Sequence, residues 1–226
     1  MPSFGRKVFL IFQKDLKEEL RPADHRLSTL IFGAMLVFVI SFSLQIAAVD
    51  AERIFPALLW ISIFFMATLA LQRAMVKEKD SGALDALLLA TGERSIFFYA
   101  KFLSSFTVLV LLELVVIPLL WIFVEVRTTQ AELWYFVLSI LLGSWGLAAV
   151  GSLLNAITMQ LPNARLLFPI LMFPILIPLL LAAILCTQGA LMGETSSVLG
   201  WLYLMLVYNL VFTIVPLFLF DYILEG

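Results

Sequence analysis

Residues 77–89 read Lys77-Glu78-Lys79-Asp80-Ser81-Gly82-Ala83-Leu84-Asp85-Ala86-Leu87-Leu88-Leu89, a charged and helix-forming stretch set between two long hydrophobic runs. Asp80 or Ser81 is placed to cap a short helix that Thr91-Gly92 ends, and Leu84, Leu87 and Leu88 fall on one face at helical spacing. A leucine ridge with charges before and after it, Glu78, Asp80 and Asp85 among them, suits the groove of a soluble partner. The competing reading is a helix lying passively among lipid headgroups, and the stretch alone does not choose between them.

The runs on either side set the class of fold. With 63% hydrophobic residues, 13% charged residues and a mean hydropathy of +1.08, the 226-residue chain cannot hide its apolar surface inside one globule. Its apolar residues come in runs near the ~20 that cross hydrocarbon. An all-α integral membrane protein follows, with spans predicted at 27–49, 55–72, 102–124, 133–158, 166–187 and 199–224. Alternating barrel-strand patterning is absent, and helices satisfy every backbone group in lipid. The chain thus divides into a cytoplasmic arm over 1–26 and a six-helix membrane domain over 27–226, with the short leucine-bearing helix inside 77–95. The first dozen residues carry Arg6 and Lys7 and a helical pattern, without the apolar core and small-residue cleavage site of a signal peptide.

Orientation follows from the basic residues. Twelve of the fourteen Lys and Arg, in the arm, around the second connection and at Arg165, fall on one side; only Arg53 and Arg127 fall on the other. The positive-inside rule then places both termini in the cytoplasm, with short outer loops near 50–54, 125–132 and 188–198. Trp121, Trp134, Tyr135, Trp201 and Tyr203 mark the outer interface in this frame, and Tyr99 and Tyr222 the inner one.

In the arm, Phe4, Val8, Phe12, Leu16 and Leu20 recur every four residues with basic residues opposite, so an amphipathic helix along the inner leaflet is expected. Asp15 and Glu19 intrude on the apolar stripe. Either one edge faces protein, or both carboxylates reach sideways to Lys or Arg on the same helix.

Within the spans the costly residue is Glu113, where an ionised carboxylate would cost about 2.5 to 3.5 kcal/mol or more. It should face protein or water, either as a neutral carboxyl bonded across helices or as a charged ligand-binding group. Gln45, Asn155 and Asn209 are milder cases with interhelical hydrogen bonding as the default. Ser144, Ala148, Ser152 and Ala156, with Gly143 and Gly151 nearby, form a small-residue face that a neighbouring helix can approach. Pro169, Pro174 and Pro178 bend the fifth span, as a static kink or a gating joint.

Absences narrow the function. No Gly precedes a Lys, so the phosphate cradle of a P-loop ATPase is missing and the chain is not expected to be an enzyme. His25, in the arm, is the only histidine, which excludes a His-Glu-x-x-His metal site and bis-histidine haem ligation within the chain. Met residues and Cys186 remain formal iron ligands, though Met in an apolar helix is usually filler. No catalytic, cofactor-binding or metal-ligating residues are assigned. A net charge of -2 gives no reason to expect nucleic acid, and a single cysteine excludes an intrachain disulfide.

Several segments together resemble the haem exporter protein B family. They are residues 14–21 (Lys-Asp-Leu-Lys-Glu-Glu-Leu-Arg), residues 78–89 with Arg94-Ser95 and Lys101, Glu113 with Pro118, and the Leu-Phe-Pro-Ile-Leu-Met-Phe-Pro-Ile-Leu-Ile-Pro run over 167–178. This family is the membrane subunit of the cytochrome c maturation ABC transporter, itself similar to ABC-2 type permeases, and the match covers essentially the whole chain. The resemblance implies that 81–89 is a coupling helix docking on a CcmA-like ATP-binding subunit, through Glu78, Asp80, Gly82, Leu84, Asp85, Leu87 and Leu88. It also implies a CcmC-like haem-handling subunit, a small CcmD-like subunit, a CcmE-like haem chaperone and residence in the bacterial inner membrane. ATP would sit on the partner, and haem would be a transported or handled ligand. Whether haem crosses this subunit or ATP-driven motion releases the loaded chaperone stays open; the lack of an intramembrane histidine favours the second.

Rival classes explain less. An ABC-2 permease for another substrate fits the loop equally well, whereas a secondary transporter should carry several midplane charges in paired repeats. A non-energised scaffold explains the packing faces but not the leucine ridge, and an intramembrane enzyme lacks a visible catalytic set.

Overall fold

The computed structural model describes residues 4–20, 24–47, 51–81, 94–124, 132–158, 161, 163–223, with side chains near several helix ends excepted. Among the described residues all regular structure is helical: α1 (Phe4–Leu20), α2 (Asp24–Ala47), α3 (Ala51–Ser81), α4 (Arg94–Val124), α5 (Leu133–Thr158), α6 (Ala164–Met192) and α7 (Thr195–Ile223). Five contain apolar stretches long enough to cross a bilayer: Arg53–Ala74, Ile96–Val124, Leu133–Thr158, Ala164–Met192 and Ser196–Pro216. The first expected span lies in α2, a 24-residue helix. Among the described residues its apolar stretch covers Thr29–Val39.

The central post is α5, which packs against α3, α4, α6 and α7. Lipid tails are as apolar as leucine, so helices associate in a membrane where small side chains let backbones approach. The expected small-residue face does this: Ser144, Ala148, Ser152 and Ala156 are all buried. A Cβ at Gly143 would run into the Trp60 ring of α3, and one at Gly146 into Leu179 of α6. Consequently 78% of the apolar window of α5 is buried inside the protein, against 22% for α7. The outer flanks carry exposed apolar side chains suited to acyl chains, such as Met35 and Phe38 on α2 and Leu206, Leu210 and Ile214 on α7.

Two helices extend beyond their predicted ends for identifiable reasons. The third predicted span starts at Phe102, because Lys101 reads as a boundary. Yet α4 begins at Arg94, and Ile96, Phe97, Phe98 and Ala100 are buried. Ile96 and Ala100 pack beneath the arm in one cluster with its Val8 and Ile11, and Phe98 packs with Leu153 and Ala156 of α5, while Phe4 meets the Tyr99 ring edge-on at 6.2 Å. The second predicted span closes at Gln72, but α3 continues to Ser81 through Lys77, Glu78 and Lys79, which are good helix formers. Asp80 and Ser81, the two expected caps of the short helix, therefore form the end of α3, and the rest of that short helix lies outside the described residues.

At the far end, α6 stops at Gly193 with φ 74°, and the cap closes on the Gly189 carbonyl. Positive φ is the conformation that terminates helices and that glycine adopts without steric cost. The triple-proline segment is accommodated within one helix, since Pro169, Pro174 and Pro178 all lie inside α6.

Candidate functional site

Of the expected docking residues, Glu78 and Asp80 lie in the last turn of α3, where their side chains are outside the described residues. Gly82, Leu84, Asp85, Leu87 and Leu88 are also outside them. What the structure describes is the pair of helices that this connection joins. Both α3 and α4 touch the post α5, so a displacement at their shared end has two routes into the membrane domain.

The start of α4 is tied to the arm by an ion pair. Lys101 Nζ lies 2.7 Å from Asp15 Oδ2, with only 15% and 8% of the two side chains exposed. The same ammonium stands 5.6 Å above the Phe97 ring, a cation–π distance. Asp15 on the apolar stripe therefore faces protein, although Lys14 also comes within 3.9 Å. Phe9 and Leu10, turned away from α4, are exposed. Thr29 of α2 and Arg73 of α3 meet at 2.5 Å, and the Gln72 side chain bonds the Arg165 carbonyl of α6.

Three of the polar residues expected inside the membrane bridge helices. Glu113 is 2% exposed and meets α5, with Ser144 Oγ at 2.6 and 2.7 Å from its two carboxyl oxygens. The Asn155 amide donates to the Leu71 carbonyl of α3 at 3.2 Å, and the Asn209 amide donates to the Leu142 carbonyl of α5 at 2.8 Å. Such bonds contribute about 0.6 kcal/mol each on average. They fix register more than they add stability. Gln45 lies in α2, with its side chain outside the described residues.

Sequence reasoning missed the most extended of these links. Trp60 Nε1 donates to Thr187 Oγ1 at 2.9 Å, Thr187 Oγ1 lies 3.0 Å from Ser139 Oγ, and Ser139 donates to the Phe136 carbonyl at 2.9 Å. One chain of donors thus joins α3, α6 and α5, and all three side chains are buried. The available signal was Trp60 itself, inside a predicted span, because a buried indole N–H needs an acceptor. On the other side of α5, Trp145 donates to Thr213 at 2.9 Å and Tyr99 to the Thr213 carbonyl at 3.1 Å. Tyr99 therefore fastens α4 to α7. Tyr208 of α7 bonds the Ile175 carbonyl at 2.8 Å, within the proline-rich half of α6.

Among the described residues no three His, Cys, Asp or Glu side chains gather as a metal site. Met66, Met172 and Met205 are buried in the helix core, where Met172 sulfur accepts the Thr68 hydroxyl at 3.7 Å. They act as packing.

Five long apolar helices, four of them packed on the small-residue post α5 and stitched together by buried polar links, define a multi-pass α-helical membrane protein. Its family follows from comparison with known proteins. The model of the CcmB protein family matches residues 6–225, and the chain belongs to that family. Among its relatives is the heme exporter protein B of Bradyrhizobium diazoefficiens, 23% identical over 186 residues, covering 82% of this chain and 83% of the relative. The heme exporter protein B of Rhodobacter capsulatus is 26% identical over 181 residues, 80% and 82% of the two chains. That of Haemophilus influenzae is 27% identical over 179 residues, 78% and 79% of the two.

Proposed function

We propose that the chain is the non-catalytic permease subunit of an ATP-driven haem exporter of the bacterial cytoplasmic membrane, serving cytochrome c maturation. The observation that carries this reading is the family match over nearly the whole chain, together with relatives named heme exporter protein B. In this reading α2 supplies the sixth span, both termini are cytoplasmic, and the coupling helix on which a separate ATP-binding subunit docks lies within 77–95, over 81–89. Nucleotide-driven movement there would pass to α3 and α4 together and then to α5, which both helices touch. The excess of Lys and Arg on the arm and second connection supports the cytoplasmic placement.

Haem-handling and chaperone subunits complete the assembly, with haem as cargo or handled ligand. Release of a loaded chaperone fits these residues better than axial ligation of haem in transit, because the only histidine is His25 in the arm. Six helices make half of a usual permease, so a second membrane subunit, identical or different, completes the pathway.

Purification tests the docking. A Walker-motif ATPase should co-purify with the chain, and Leu84→Glu or Leu87→Glu should detach it or abolish stimulated hydrolysis while insertion into the membrane is unchanged. An unchanged complex and unchanged hydrolysis would remove 81–89 as the docking site.

A further inference from the structure

The Glu113–Ser144 contact contains more oxygen atoms than one hydroxyl proton can serve. Ser144 Oγ lies 2.6 and 2.7 Å from the two Glu113 carboxyl oxygens and 2.7 Å from the Ile140 carbonyl. These are ordinary O–H···O distances, and each requires a hydrogen between the atoms. A serine hydroxyl carries one proton and two lone pairs, and an ionised carboxylate is acceptor-only. With an ionised Glu113, one proton would face three short oxygen contacts, leaving lone pairs opposed in a site where Glu113 is 2% exposed and Ser144 fully buried. Among the described residues no Lys, Arg or His pairs with Glu113, so no cation offsets that arrangement.

We infer that Glu113 carries its proton in the folded protein and donates it to Ser144, which donates in turn to the Ile140 carbonyl, making an uncharged clasp between α4 and α5. The second carboxyl oxygen shares the serine proton as a three-centre acceptor. Glu113 is then a positioning residue. It fixes the register of α4, the helix that leaves the 82–93 connection, against the post α5, and it is neither an ion-pairing nor a cargo-binding carboxylate. This inference concerns the bonding inside the membrane domain and stands whether or not an ATPase docks on 81–89.

Infrared spectroscopy of the purified full-length chain in lipid nanodiscs at neutral pH reads the proton directly. A protonated-carboxyl C=O band is expected in the native chain, absent in Glu113→Gln, and moved to higher frequency in Ser144→Ala, where the acid loses its acceptor. Glu113→Gln retains an N–H donor at the same place, so its thermal midpoint should stay close to native, whereas Glu113→Ala should lower it clearly. The inference is overturned if the native chain shows no acid band. It is equally overturned if Glu113→Gln removes carboxylate intensity instead of acid intensity. Should Glu113→Gln fail to accumulate, the native and Ser144→Ala spectra still decide: an acid band that does not move when its acceptor is deleted rejects the clasp.

Discussion

Gly143→Val is expected to unfold the centre of the membrane domain more effectively than any conservative change on its lipid-facing surface. The position is the contact point between α5 and the Trp60 ring of α3, and even a Cβ there would overlap three ring carbons. The indole cannot yield cheaply. It is fully buried and held by its bond to Thr187, so displacing it also strands a buried N–H and breaks the chain to Ser139. Overpacking costs about 1 to 3 kcal/mol, and an unsatisfied buried donor a further ~1 to 3 kcal/mol. A combined loss of about 2 to 6 kcal/mol is therefore anticipated, measured as a lowered unfolding midpoint in detergent. Trp60→Ala should destabilise alone yet partly compensate Gly143→Val, because the valine then enters the vacated space; contacting residues are expected to be non-additive in this way. Additive losses would show that the two residues do not meet.

Lys101→Glu should free the arm. It places a second carboxylate against the buried Asp15, and breaking a buried ion pair by changing one partner costs about 3 to 5 kcal/mol. Much of this falls on arm docking, since the remaining contacts of Val8 and Ile11 with Ile96 and Ala100 form a small cluster. At ~1.4 kcal/mol per factor of ten, trypsin cleavage in the arm should accelerate roughly a hundredfold or more in detergent-solubilised protein. The charge swap Asp15→Lys with Lys101→Asp should slow it again, although the altered lengths will not restore the native rate fully. Unchanged cleavage in the single variant would mean that the arm is held by something other than this pair.

These contacts also mark where the sequence was informative. The runs of apolar residues exposed the class of fold, because the length of a hydrophobic run is a local property matched to bilayer thickness. Glu113 stood out for the same reason: one charge in a run of Leu and Val is visible without knowing what it touches. Its partner Ser144 was quoted only as a member of the small-residue face, and nothing in the spacing joined the two. Lys101 made a predicted span start too late because its charge was read as a membrane boundary. Its compensation by Asp15 comes from a distant part of the chain, and local periodicity carries no trace of it. Trp60, Ser139 and Thr187 were passed over because tryptophan counts as apolar in a hydropathy profile, while its hydrogen-bonding demand appears only once its depth is known. The expected docking residues Leu84, Leu87 and Leu88 lie outside the described residues and remain legible only as a pattern in the sequence.

The most direct test of the central proposal is the side of the membrane on which that leucine ridge lies. Cys186 is the only cysteine and is buried, so Leu84→Cys in a Cys186→Ser background gives one addressable thiol. A membrane-impermeant maleimide should label it in inside-out vesicles but not in intact cells, and co-expression of the ATP-binding subunit should protect it. Labelling from outside intact cells, or a thiol accessible from the inner face that no ATP-binding subunit shields, would contradict the proposal that these residues receive the push of a separate nucleotide cycle.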